Sequence, residues 1–181
     1  MIGWRALIAA RRGSAAAETA LITPLLVGLM FGSLELGNYF LDEHALVQQV
    51  RDGARYASRM PLQANYTCPS GSATGTVGAA AVTSIGNVTR TGTVGGTGAG
   101  RFDAVYWTRN CGNATQTLTV TVRCIPSADY DGVWQSLPGD IPVVKVSSAI
   151  RYRSLLGTLG LVNANANLCL TADSEIPVIG S

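Results

Sequence analysis

The sequence predicts an α+β fold in which one long N-terminal helix packs against a small antiparallel β-sheet braced by disulfides. The helix has a membrane half followed by an extracytoplasmic stalk. Three observations lead there. Thr19 to Leu34 is a run of 16 residues without a charge. Beyond about residue 101 the apolar pattern changes from helical to alternating spacing. All four cysteines, Cys68, Cys111, Cys124 and Cys169, lie beyond the apolar run.

Composition sets the frame. The chain has 181 residues, 47% hydrophobic and only 13% charged, roughly half the charge of a typical soluble domain. That fits one domain plus an anchor. Arg5, Arg11 and Arg12 precede Ser14 and no acid does; from Ser14 onward ten basic residues face eleven acidic ones. The basic excess therefore belongs to the extreme N-terminus. A nucleic-acid surface wants clustered Lys and Arg on the folded part, and the chain has one lysine, Lys145, and scattered arginines. Nucleic acid is excluded as a partner.

The membrane half comes first. With the alanines before Glu18, the apolar run reaches about 20 residues, the length that crosses a bilayer as a helix. It carries no polar face at 3.6-residue spacing, as a soluble core helix would. Pro24 lies inside it, which membrane helices tolerate better than soluble ones. Arginines before the run and the acidic "LDEH" after it put the N-terminus in the cytoplasm and everything after about Tyr39 outside. A cleaved signal peptide competes, but "GSLELGNYF" offers no small-residue cleavage site. A plain uncleaved anchor also competes. Neither accounts for Glu18, a carboxylate about one turn inside the hydrocarbon, where such groups are costly and retained for a partner.

Gly13, four small residues and then Glu18 resemble the processing site of type IV-like prepilins. The resemblance implies that a prepilin peptidase cuts after Gly13 and that Ser14 becomes the new N-terminus. It also implies that Glu18 pairs with the N-terminal ammonium of a neighbouring subunit, so that two costly charges cancel only in the correct register. The string "RRGSAAAETALITPLLVGLMFGSLELGNYF" and the following "VRDGARYAS" resemble the TadE-like minor pseudopilins of the tight adherence (Tad, Flp-type) pilus system. That family implies a minor pilin for assembly of an adhesive pilus. It would sit once across the bacterial inner membrane with its C-terminal domain in the periplasm. Its partners would be the peptidase, other pilin and pseudopilin subunits, the inner-membrane assembly platform and membrane lipid. The resemblance also sets the organisation: leader 1–13, transmembrane helix 14–38, periplasmic stalk 39–60, and an α+β domain 61–181. The alternative is an uncleaved, bitopic sensor or binding module whose outer sheet holds a ligand.

The stalk continues as helix with a changed character. Leu41, Ala45, Val47, Val50, Ala54 and Ala57 form an apolar stripe; Asp42, Glu43, Gln48, Arg51, Asp52, Arg55 and Arg59 form the wet side. Met60-Pro61 stops it. A short second helix is expected near Ala79–Val88, and the Gly/Thr-rich segment 91–100 reads as a flexible loop. Its "GTGAG" resembles a phosphate cradle only superficially, since no strand-turn-helix unit frames it.

The sheet follows. "FDAVYWT" and "TLTVTVRCI" alternate, with "RNCGNA" as a hairpin connection. "IPVVKVSSAIRYRSL" is a third strand with Val144, Val146, Ser148, Ile150 and Tyr152 on one face. "LLGTLGLVNANA" is a short helix or loop, and "NLCLTADSEIPV" a last edge strand. Trp107 and Trp134 are expected in the core and Trp4 at the membrane interface.

The cysteine spacings match no close-paired zinc pattern, so no metal site and no cofactor are expected. Four cysteines in an oxidising compartment favour two disulfides. Cys111 and Cys124 bracket one expected strand and lie too far apart to pair. Two connectivities remain, and Cys68–Cys111 with Cys124–Cys169 is preferred. No enzyme is expected: the single histidine, His44, sits on the stalk, out of reach of a serine or cysteine in the sheet. Asp129, Asp131, Asp140 and Asp173 lie in turn-like contexts.

Overall fold

The computed structural model describes residues 12–126, 140–160 and 168–180. A single helix, α1, runs from Arg12 to Ser58, about 70 Å at 1.5 Å per residue. Next come a one-turn helix α2 (Leu62–Asn65), strands β1 (Tyr66–Thr67) and β2 (Thr74–Val77), and helix α3 (Ala79–Thr91). A 3₁₀ turn (Ala104–Thr108) precedes β3 (Leu118–Ile125) and β4 (Ile141–Arg151); a one-turn helix α4 (Leu155–Thr158) and β5 (Cys169–Pro177) are the last elements among the described residues. The five strands form one antiparallel meander in the order β1-β2-β3-β4-β5. The α+β architecture expected from the sequence is therefore present, with a long helix lying on a sheet.

Alternation explains which face is covered. Val144, Val146, Ser148, Ile150 and Tyr152 are all buried, as their shared face on β4 requires. With Leu118, Val122 and Cys124 of β3 and Leu170 and Ala172 of β5 they meet the outer half of α1 and the inner face of α3. The opposite face is wet: Lys145 reaches Asp173 and Glu175, each at 3.3 Å, and Arg123 reaches Glu175 at 3.7 Å. Hydrogen bonding to Asp173, then to Glu175, raises the Lys145 pKa. On α1 the buried stripe is Leu46, Val50, Ala54 and Ala57. Leu41, expected in it, is 71% exposed, because it falls off the face that Tyr39 and Leu46 define.

Two helices approach closely where side chains shrink. A β-carbon on Gly53 would collide with the Thr89 hydroxyl of α3, so glycine sets the α1–α3 distance. The far end of α1 is tied down: the Tyr66 hydroxyl donates to Ala57 O at 2.7 Å, and Ile179 and Gly180 amides donate to Ser58 O at 2.9 and 3.1 Å. These bonds satisfy carbonyls that a helix end otherwise leaves orphaned. Burial, with a smaller contribution from Tyr56, pushes the Tyr66 phenol up to about 12.

Several expectations give way. "FDAVYWT" is a 3₁₀ turn rather than a strand. Its rings explain this: Phe102 packs on Tyr106 at 5.0 Å and on Trp107 at 6.4 Å between centroids, a cluster that an extended strand would pull apart. "RNCGNA" then leads from that turn into β3 rather than joining a hairpin, touching the sheet through the Asn110–Ile150 bridge. Strands β1 and β2 were not legible; their Thr/Gly content lacks an apolar alternation. Trp107 is half-buried at the core's margin, while Trp4, Trp134, Asp129 and Asp131 lie outside the described residues.

The disulfides are Cys68–Cys124, with Cα atoms 5.7 Å apart, and Cys111–Cys169, at 5.8 Å. The preferred sequential pairing is thus overturned. The meander is the cause: β2 lies between β1 and β3, so the chain leaving β1 at Cys68 passes over Gly75 onto Cys124. A β-carbon on Gly75 would stand 2.8 Å from Cys124 Sγ, and glycine keeps that crossing open. Asn110 bridges Ile150, and Arg151 opposes Cys169, which brings Cys111 to β5.

Candidate functional site

Side chains along the first half of α1 face outward. Leu21, Ile22, Leu25, Leu26, Val27, Leu29, Met30 and Leu34 are exposed, and the helix is long and apolar enough to cross a membrane. Three of its hydroxyls are satisfied locally: Thr19 donates to Ala16 O at 3.0 Å, Thr23 to Thr19 O at 2.6 Å, and Ser33 to Met30 O at 2.9 Å. A helix with its polar side chains folded back on its own carbonyls is suited to hydrocarbon. Gly13 and Ser14 occupy its first turns and Glu18 stands exposed one turn further on.

The folded domain reaches down this helix as far as Glu35. Its Oε1 accepts from Leu155 N at 3.2 Å and its Oε2 from Leu156 N at 3.1 Å. The Tyr152 hydroxyl donates to Glu35 O at 3.3 Å and accepts from Asn38 Nδ2 at 2.9 Å. Tyr39 packs edge-on against Tyr152, centroids 5.2 Å apart, and donates to Cys169 O at 3.4 Å. Burial pushes the Tyr152 phenol up to about 12. The second acid of the apolar stretch is therefore a structural clamp between α1 and α4. In the sequence Glu35 is legible only as a charge, because its partners lie 120 and 121 residues away.

Two turns above Glu35, Asp42 turns toward Tyr106; burial raises its pKa, opposed by a hydrogen bond from Tyr106. Burial, then the charge of Asp42, raises Tyr106 as well. His44 Nε2 lies 2.9 Å from Gln48 Nε2, and Gln48 Oε1 accepts from Arg101. Asp140 accepts from Gly71 N at 3.1 Å.

The segment 91–100 is threaded with hydrogen bonds: Asn87 Nδ2 donates to Val94 O at 2.8 Å and Gly98 N to Thr93 Oγ1 at 3.1 Å. It follows the C-terminus of α3, the negative end of the helix dipole, which repels phosphate. Beside it is an open cleft of about 600 Å³ lined by Arg90, Phe102 and Trp107. Arg90 stacks over the Trp107 ring at 5.9 Å. Arg90 Nε and Trp107 Nε1 are buried without a hydrogen-bond partner among the described residues. Also among the described residues, no group of three His, Cys, Asp or Glu side chains gathers to hold a metal.

Residues 13–55 match the model of the TadE-like protein family, supporting a TadE-like protein of the tight adherence pilus system. The match takes in the apolar shaft and most of the stalk, from Gly13 through Glu18 and Glu35 to Arg55, and leaves the sheet outside it. No curated protein and no solved structure matches the chain.

Proposed function

We propose that the chain is a minor pilin or pseudopilin for assembly of a Tad-type adhesive pilus, trimmed by a prepilin peptidase after Gly13. The observation that carries this reading is the coincidence of the family match with the exposed apolar shaft of α1, since such a shaft needs lipid before assembly and other helices after it. The protein waits in the inner membrane with its N-terminus cytoplasmic and its α+β domain periplasmic. It then joins other pilin and pseudopilin subunits at the inner-membrane assembly platform. Glu18 supplies register by meeting the new Ser14 ammonium of a neighbour, two charges that lipid tolerates best as a pair. The role is structural, without catalysis or cofactor.

Intact mass and N-terminal sequencing of membrane-extracted protein test processing: the mature chain should begin at Ser14. Glu18→Ala should insert normally in the membrane yet abolish pilus assembly, read by electron microscopy of cell surfaces. Unimpaired pili in that variant would refute the register role. A second reading, an uncleaved anchored binding module, draws on the cleft beside Arg90 and Trp107. It requires a mature chain that begins at Met1.

A further inference from the structure

We propose that α4 and the leucines around it form a second contact with the bilayer, lying at the boundary between headgroups and acyl chains beside the span. This rests on the reading of α1 as a membrane helix.

Height is the first argument. Both Glu35 carboxylate oxygens are engaged by the Leu155 and Leu156 amides, which hold α4 alongside α1 at the level where the charge-free run ends. Glu18 and Glu35 are separated by about 26 Å of helix at 1.5 Å per residue, close to the thickness of a hydrocarbon core. With Glu18 about one turn inside one boundary, Glu35 and α4 stand near the other.

The second argument is the surface. Leu155, Leu159 and Leu168 are 46%, 67% and 48% exposed; the Leu155 and Leu156 amides on Glu35 and the Tyr152 amide on Leu168 O set this group near exposed Leu34 and Leu36 on α1. Apolar side chains spread beside a span, without the length to cross, suit an interfacial position. The rim is the third. Tyr39, Phe40 and Tyr152 form an aromatic group just above Glu35, where membrane proteins place such rings. Arg109, Arg151 and Arg153 sit at the same end of the sheet, the first two lining one open cleft. Of the acids on this stretch of α1, Glu35 is held by α4 and Asp42 by Tyr106, and Glu43 lies one residue further on, against three arginines. Anionic headgroups thus meet cations.

The test uses oxidised full-length protein in nanodiscs of mixed phosphatidylcholine and phosphatidylglycerol. All four native cysteines are in disulfides, so one introduced cysteine takes one spin label. Gly28→Cys reports the span, Leu159→Cys reports α4, and Gln63→Cys reports the distal end. Collision with oxygen against a water-soluble nickel complex reads depth. The expected result is lipid-like accessibility at positions 28 and 159 and water-like accessibility at 63. A water-like label at 159 with a lipid-like label at 28 overturns the inference and leaves the span standing. A label at 159 shielded from both reagents also overturns it, since protein then covers the leucines. A water-like label at 28 removes the span reading and the inference together.

Discussion

Asp42 shows how a single residue departs from its sequence pattern. Helical spacing put it on the wet side of the stalk, yet its Oδ2 is buried without a hydrogen-bond partner among the described residues. The reason lies in the 3₁₀ turn, whose Tyr106 comes down onto it and which the sequence presented as a strand. A carboxylate whose folded pKa is raised above its unfolded value binds its proton more tightly when folded. It therefore costs stability above the folded pKa, and that cost fades as pH falls through the carboxylate range. Asp42→Asn should accordingly stabilise the protein at neutral pH by about 1 kcal/mol, a figure discounted for its partial exposure. The gain should vanish in acid. Thermal midpoints of detergent-solubilised protein across pH check this, and a gain that grows in acid would contradict it. Glu18 and Glu35 were conspicuous in the sequence as acids in an apolar run; the clamp made by Glu35 was not, since local spacing says nothing about a partner on the far side of the fold.

Among the elements, α1, β3, β4 and β5 were legible because their periods are strong and long. β1 and β2 are short and polar, and they exist because β3 offers an edge to pair with. The α1–α3 contact was invisible for a different reason: it depends on Gly53, and an isolated glycine in a helical pattern gives no direction. Gly53→Ala should destabilise the domain by about 1–3 kcal/mol through overpacking against Thr89. That would outweigh the gain of about 1 kcal/mol in helix propensity. A fall of several degrees in the near-ultraviolet melting midpoint, with far-ultraviolet helix content retained, is the expected signature. Thr89→Ser in the same background should leave the clash in place, whereas Thr89→Ala should relieve it, because the hydroxyl is the atom met first.

At the scale of the molecule, the general architecture was readable from a charge-free run, a change of period and four cysteines, whereas the cysteine pairing was not. Spacing eliminated one connectivity; choosing between the other two required the strand order, which sequence alone left open. Each bridge closes a loop of more than 50 residues (separations of 56 and 58), so each should contribute about 4 kcal/mol in the chain-entropy account. Replacing either pair by serines should lower stability by a similar amount, read by denaturant titration in detergent. A much larger loss from one pair would show that its bridge also holds the native packing.

Because the two bridges interleave, every peptide bond from Cys68 to Cys169 is enclosed by at least one of them. A protease that nicks the backbone between Gly112 and Gln116 should therefore yield a species that migrates intact on a non-reducing gel and separates into two fragments only after dithiothreitol. Sequential pairing would let the same cut release the C-terminal piece at once. The crossed linkage thus gives the domain tolerance to clipping anywhere between Cys68 and Cys169.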